Sequence, residues 1–187
     1  MTKSALRKAM LKTLKNFAGS PEKREAERDI YRELFATDAW QQAKSVGLTM
    51  SFPYEIDTLP LIKQAWAEQK TVALARVDGP GIMGFYPYED GNALIASNYG
   101  IPEPEQTTLL IPELLLVPGV VFNGNNQRIG FGGGFYDRYL AGFTGRSIAL
   151  AFDFQLADNW EADSFDLPVE KLIIGRCPVP PGSGRSQ

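Results

Sequence analysis

The chain has 187 residues, 44% hydrophobic and 22% charged, with a formal net charge of −3. That suffices for one domain with a sizeable core; the acidic balance argues against a nucleic-acid binder, and no apolar run reaches the length of a membrane span. There is no histidine and a single cysteine, Cys177, which excludes a Ser-His-Asp triad, the usual catalytic zinc ligands and an internal disulfide.

The charged N-terminus, Met1 to Lys8, leads into an amphipathic segment and does not read as a signal peptide, so a cytoplasmic protein is expected. Without histidine, an enzyme here must work with carboxylates, Lys, Arg, Tyr, backbone donors or a hard cation. Phosphoryl transfer suits that inventory, because its catalysis is mostly positioning and charge neutralisation.

Taken in chain order, residues 3 to 17 place Leu6, Met10, Leu14 and Phe17 at helical spacing. Ser20-Pro21-Glu22 is a helix start, and Ala26, Ile30 and Leu34 give the second helix its apolar stripe. A short helical piece follows from Asp38 to Lys44. Val46 to Phe52 predicts a strand, Thr58 to Gln69 a helix, and Thr71 to Val77 a further strand. Short β pieces are expected near Ile82–Tyr86 and Ala93–Ala96, and a buried strand over Leu114–Val117. After a glycine-rich loop, Phe135 to Ala141 reads as a helix, and Ser147–Phe152 and Lys171–Ile174 as strands. Strands alternating with helices predict an α/β fold. Residues 1–176 form one domain on this reading, and 177–187, rich in Pro, Gly and Ser, a disordered tail.

The loop is the richest segment. Arg128-Ile-Gly130-Phe131-Gly132-Gly133-Gly134-Phe135-Tyr136-Asp137-Arg138 holds four glycines within five residues, flanked by cations and followed by a carboxylate. Such a run can turn successive N–H groups inward as an anion nest, and the helix that follows adds donors. The third glycine of a dinucleotide fingerprint would fall on Phe135, and no Gly-Lys-Ser/Thr follows, so neither the Rossmann nor the P-loop template fits. A phosphate cradle with a metal-binding carboxylate remains.

Leu114-Leu-Leu-Val-Pro-Gly-Val-Val-Phe122 followed by Arg128 to Leu140 resembles the 5-formyltetrahydrofolate cyclo-ligase (5,10-methenyltetrahydrofolate synthetase) family, whose pattern is close to P-G-x-x-F and R-x-G-x-G-x-G-Y-Y-D. Lys3-Ser-Ala-Leu-Arg7, Tyr54-Glu-Ile-Asp-Thr58 and Tyr99-Gly-Ile-Pro-Glu103-Pro104 resemble further family segments in the same order. The resemblance implies a three-layer α/β/α domain with a mostly parallel, Rossmann-like sheet, of the kind shared with sugar-phosphate isomerases and CoA transferases. It implies ATP-dependent closure of 5-formyltetrahydrofolate to 5,10-methenyltetrahydrofolate by a monomer, with Mg²⁺ and with no nucleic-acid or membrane partner.

The same resemblance implies the site. Lys3, Ser4, Arg7, Arg128 and the loop from Gly130 through Phe131, Gly132, Gly133, Gly134 and Phe135 to Tyr136 would bind ATP. Arg7, Met50, Glu55, Phe85, Phe122 and Phe131 to Phe135 would contact the folate, with Tyr86 also a candidate for the pterin pocket. Arg128 and Asp137 would be catalytic. Mg²⁺ would sit on Asp137 and on a late carboxylate, for which the chain offers Glu170, with Asp166 as competitor. Departures include Gly133 where Lys or Arg is frequent, and Arg76 where proline is usual. The alternatives are a folate- or nucleotide-binding module without turnover and a sugar-phosphate isomerase on a similar fold.

Overall fold

The computed structural model describes residues 1–177. Three helices open the chain: α1 (Lys3–Phe17), α2 (Pro21–Phe35) and α3 (Asp38–Gln42). Each begins at a hydroxyl cap, with Thr2, Ser20 and Thr37 accepting from the N–H groups of Ala5, Lys23 and Trp40. A cap of this type stabilises by about 1 kcal/mol.

The sheet has six strands in the order β10-β9-β6-β1-β2-β3. These are β1 (Ser45–Leu48), β2 (Thr71–Gly79), β3 (Ile82–Pro87), β6 (Leu114–Leu116), β9 (Arg146–Phe152) and β10 (Lys171–Gly175). β1 runs parallel to β2 and β6, and β6–β9 and β9–β10 are also parallel; only β3, at one edge, pairs antiparallel. The helix α4 (Leu59–Ala67) links β1 to β2. Two small ribbons lie outside this sheet: β4 (Leu94–Ala96) with β5 (Pro102–Pro104), and β7 (Val121–Phe122) with β8 (Arg128–Ile129). The last α-helix among the described residues is α5 (Phe135–Leu140).

Side-chain alternation sorts the strands onto two faces. Val46, Leu48, Val72, Leu74, Leu114, Leu116, Ile148 and Ile173 pack with residues of α1 to α4 in the larger core. Ala73, Ala75, Phe85, Leu115, Ala149 and Ala151 face Tyr139, Leu140 and Phe143, at and just after α5. The sheet is therefore covered on both sides, but unequally. Gly47 on the central strand shows how close the packing is: a Cβ there would stand 2.6 Å from the Pro112 ring.

The strand expected over Val46–Phe52 stops at Leu48. Beyond it the backbone leaves the sheet and is tied back by Thr58, whose hydroxyl donates to the Thr49 carbonyl (2.7 Å) and accepts from Ser51 N (3.1 Å). Between β6 and α5 the sequence reading missed the β7–β8 hairpin. Its signal was available in the turn Asn123-Gly-Asn-Asn126, where Asn126 is left-handed (φ 59°). Cys177, assigned to the tail, is buried, and its N–H donates to Asp153 (3.2 Å). The rest of the expected tail, 178–187, lies outside the described residues. No helix among the described residues is long and apolar enough to cross a membrane.

Candidate functional site

Strand order places the site. From β1 the sheet grows through β2 and β3 on one side and through β6, β9 and β10 on the other. The segments leaving the carboxyl ends of β1 and β6 diverge there and open a crevice, as at the switch point of other open α/β sheets. A cavity of about 550 Å³ occupies this position. Thr49, Phe52 and Glu55 follow β1, Pro118 follows β6, and Ala75 to Val77 lie in the second half of β2; all line it. The remaining walls are Lys3 and Arg7 of α1, the loop from Arg128 to Asp137, Tyr99 to Glu103, and Asp163 to Asp166.

One end of the cavity is densely charged. Arg128 is only 4% exposed. Its Nη1 donates to the Leu167 carbonyl (3.0 Å) and its Nη2 lies 3.2 Å from Asp137 Oδ1, while Nε has no partner among the described residues. Burial lowers the Arg128 pKa, and Asp137, Tyr136 and Asp166 oppose that shift. The Tyr136 hydroxyl is likewise buried and unpartnered, and burial raises its pKa. Orphaned buried donors cost free energy unless a partner arrives. The Arg128 Nε–H on the cavity wall fits an anionic ligand, while Glu55 and Thr49 are among the groups that act on the Tyr136 hydroxyl.

The carboxylates there are half used. Asp137 accepts from Arg128 and from Leu167 N (3.3 Å), both on Oδ1. Asp166 accepts from Lys3 Nζ and from Asp163 N (2.6 Å), both on Oδ2. Each therefore keeps one oxygen without a protein donor among the described residues. Two such oxygens suit Mg²⁺, which binds through one or two carboxylates and takes its other ligands from water and phosphate. No cluster of three or more His, Cys, Asp or Glu that could enclose a metal occurs among the described residues.

The glycine loop lies across this end. Arg7 Nε donates to the Gly130 carbonyl (2.6 Å), which anchors α1 to the loop and leaves the remaining guanidinium beside Gly132. Gly132 and Gly134 have φ of 107° and 65°, which L side chains rarely adopt. Among the described residues the N–H groups of Phe131 to Gly134 donate to no protein acceptor. Gly133 has an ordinary φ, but a Cβ there would meet the Phe135 ring at 2.6 Å. That ring packs edge-on against Tyr99 (5.5 Å), so it fills the space where a Lys or Arg stem would begin.

Elsewhere on the wall, Glu55 is held by nearby chain and Arg76 by distant chain. Glu55 Oε2 accepts from Phe52 N (2.7 Å). Burial pushes its carboxyl up to about 7, against the opposing pull of that N–H and of Lys23. Arg76 stacks 3.7 Å from the Tyr86 ring centre and donates to Asp78 (2.7 Å) and to the Pro104 and Gln106 carbonyls (3.2 and 2.6 Å). Glu103 is buried beside it, accepting from Val77 N (3.2 Å), and burial raises its pKa.

Comparison with known proteins now decides the family. The family model described as "5-formyltetrahydrofolate cyclo-ligase family" matches residues 1–175. The chain is 30% identical over 161 residues to the "5-formyltetrahydrofolate cyclo-ligase" of Haemophilus influenzae, covering 81% of this chain and 86% of that one. The solved 5,10-methenyltetrahydrofolate synthetases of Aquifex aeolicus and Mycoplasma pneumoniae superpose with TM-scores of 0.81 and 0.74, at 28% and 27% identity. They cover 100% and 92% of this chain, and 96% and 98% of their own lengths. The chain belongs to the 5-formyltetrahydrofolate cyclo-ligase family.

Of the residues that the family resemblance singled out, the cavity gathers Lys3, Arg7, Glu55, Arg128, Asp137 and the loop from Gly130 to Tyr136. Six others do not line it. Ser4 is exposed on α1. Met50 packs against the larger core. Phe85 is fully buried on the α5 face of the sheet, 5.0 Å from the Tyr139 ring, and Phe122 is fully buried in the same cluster. A strand residue aimed into a core cannot also face the end of the sheet. Tyr86, on the opposite face from Phe85, spends its hydroxyl on Asp78 (2.6 Å). Glu170 is also misplaced as a metal ligand. It precedes β10 and is held by Arg146 Nε through both oxygens (2.7 and 2.6 Å), at the amino ends of the strands. That bond depresses its pKa. The late carboxylate that reaches the cavity is Asp166. Sequence reasoning gave no role to Asp163, and named Glu103 only within a motif.

Proposed function

We propose that this family member uses ATP to convert 5-formyltetrahydrofolate into 5,10-methenyltetrahydrofolate, releasing ADP and phosphate. The observation that carries the reading is Arg128: buried, on the cavity wall, with a free Nε–H beside two half-used carboxylates. The triphosphate lies along Arg7, Lys3, Arg128 and the free N–H groups of Phe131 to Gly134, and the pterin's amino and ring N–H groups face Glu55.

In this arrangement the formyl oxygen attacks the γ-phosphorus, and the bond to the β–γ bridging oxygen breaks to give ADP. N10 of the folate then attacks the activated formyl carbon. Phosphate departs with the former formyl oxygen, the N10 proton is lost to solvent and the methenyl bridge closes. No protein nucleophile or histidine base is needed. Arg128 and Arg7 meet charge that grows on the transferring group, in a site whose donors are already oriented, while the cavity holds two ligands at reacting distance. Mg²⁺ held by Asp137 and Asp166 would add neutralisation of phosphate charge.

Purified protein mixed with 5-formyltetrahydrofolate and Mg-ATP should gain near-ultraviolet methenyl absorbance and release one ADP per product formed. ADP release without methenyl formation, or no turnover by folded protein, would sink the reading.

A further inference from the structure

The cations expected to meet phosphate are not waiting free. Lys3 Nζ is held by Asp163 (2.6 Å) and Asp166, and Arg128 by Asp137 (3.2 Å). Although burial works against its charge, the two aspartates keep the Lys3 pKa above its ordinary value. The same ammonium lies near the rings of Trp160 (5.5 Å) and Phe165 (5.8 Å), so the whole 160–166 segment closes around it.

Asp163 differs from its neighbour. Its side chain is 55% exposed, its carboxylate touches Lys3 and lines the cavity, and its backbone N–H braces Asp166. We propose that Asp163 is a positioning residue that acts through Lys3 to make the site selective for metal-bound over metal-free nucleotide. This rests on the ATP reading above. Free ATP entering the charged end must strip Lys3 from two carboxylates and then sit among the unneutralised charges of Asp137, Asp163 and Asp166. ATP carrying a divalent cation brings a positive partner for Asp166 and Asp137 and positive charge that offsets Asp163, which releases Lys3 and Arg128 to the phosphates. The carboxylates thus hold the place of the phosphates until a cation arrives to exchange with them.

The test is calorimetric titration with ATP, folate absent, once in Mg²⁺ and once in EDTA. Wild type should bind ATP at least about tenfold more tightly in Mg²⁺. Asp163→Asn should tighten binding in EDTA by about two- to fivefold, the range of one exposed ion pair, and change binding in Mg²⁺ less than twofold. Asp163→Ala, which removes the side chain altogether, should do the same. Asp166→Asn should tighten binding in EDTA and weaken it in Mg²⁺, reversing sign between the two. In a Lys3→Gln background, Asp163→Asn should lose its gain. If Mg-ATP binds wild type but Asp163→Asn leaves EDTA affinity unchanged or lower, this inference alone fails. If wild type binds no nucleotide in Mg²⁺, the ATP reading falls and this inference with it.

Discussion

The two ends of the cavity are built by different means. Around Glu55 itself the ties come from a few residues away: Phe52 N holds Glu55, and Thr58 clasps Thr49. At the phosphate end, Lys3, Arg128, Asp137 and Asp166 hold one another across long stretches of chain, with the Lys3–Asp166 pair 163 residues apart in sequence. A short-range clasp preorganises one side chain and has one state. A long-range ion pair can exchange one partner for another when a charged ligand arrives, so the charged end has more than one way to be satisfied.

Removing Arg128 should break this difference most severely. Arg128→Ala leaves Asp137 without its cation and should cost about 3–5 kcal/mol of stability, read by urea unfolding, with kcat/KM lowered about a thousandfold. Arg128→Lys should recover folding better than turnover, since a point charge cannot reach Leu167 and Asp137 together.

The metal assignment makes the next sharpest contrast. Asp137→Asn and Asp166→Asn should each lower turnover about a hundredfold at low Mg²⁺ and shift the Mg²⁺ titration upward. Glu170→Gln should leave that titration in place, because its carboxylate belongs to Arg146 at the far end of the strands. A Mg²⁺ shift in Glu170→Gln with none in Asp166→Asn would reverse the assignment.

Glu55 offers a pH test of the other end. Burial pushes its carboxyl up to about 7, above the ordinary 4.5, so the folded state holds its proton longer than the unfolded state does. The stability it contributes is full below the unfolded pKa and is lost as pH rises through about 7, a change on the order of 3 kcal/mol. Thermal unfolding of wild type should show this loss, and Glu55→Gln should flatten it. Folate KM should fall as pH rises over the same window, since the carboxylate accepts the pterin donors, and that slope should also vanish in Glu55→Gln.

The smallest effect tests the clasp. Thr58→Val removes the hydroxyl bonds to Thr49 and Ser51 and should cost about 1 kcal/mol. It should raise folate KM several-fold while leaving ATP affinity within twofold, measured by steady-state kinetics and calorimetry. An equal effect on both ligands would show that the two ends are not separately built.

What could be read from sequence follows the range of the interactions. Helix starts at Ser20-Pro21, the alternation of helices and strands, and the positive-φ glycines of the loop are local matters, set by caps, periodicity and sterics within a few residues. That Arg128 and Asp137 sit at the cavity was legible because they flank that loop. The failures share one cause. Phe85 and Glu170 were judged by residue type and motif neighbourhood, whereas their direction depends on which sheet face and which strand end they occupy, and only strand order fixes that. By itself the sequence determined the main helices and strands, the absence of histidine chemistry and the glycine-rich loop with its positive-φ positions. Tertiary structure alone decided that Asp166 and not Glu170 joins Asp137, that Glu103 is buried at the cavity wall, and that Lys3 waits between Asp163 and Asp166. Partners so far apart along the chain meet only when the sheet has folded.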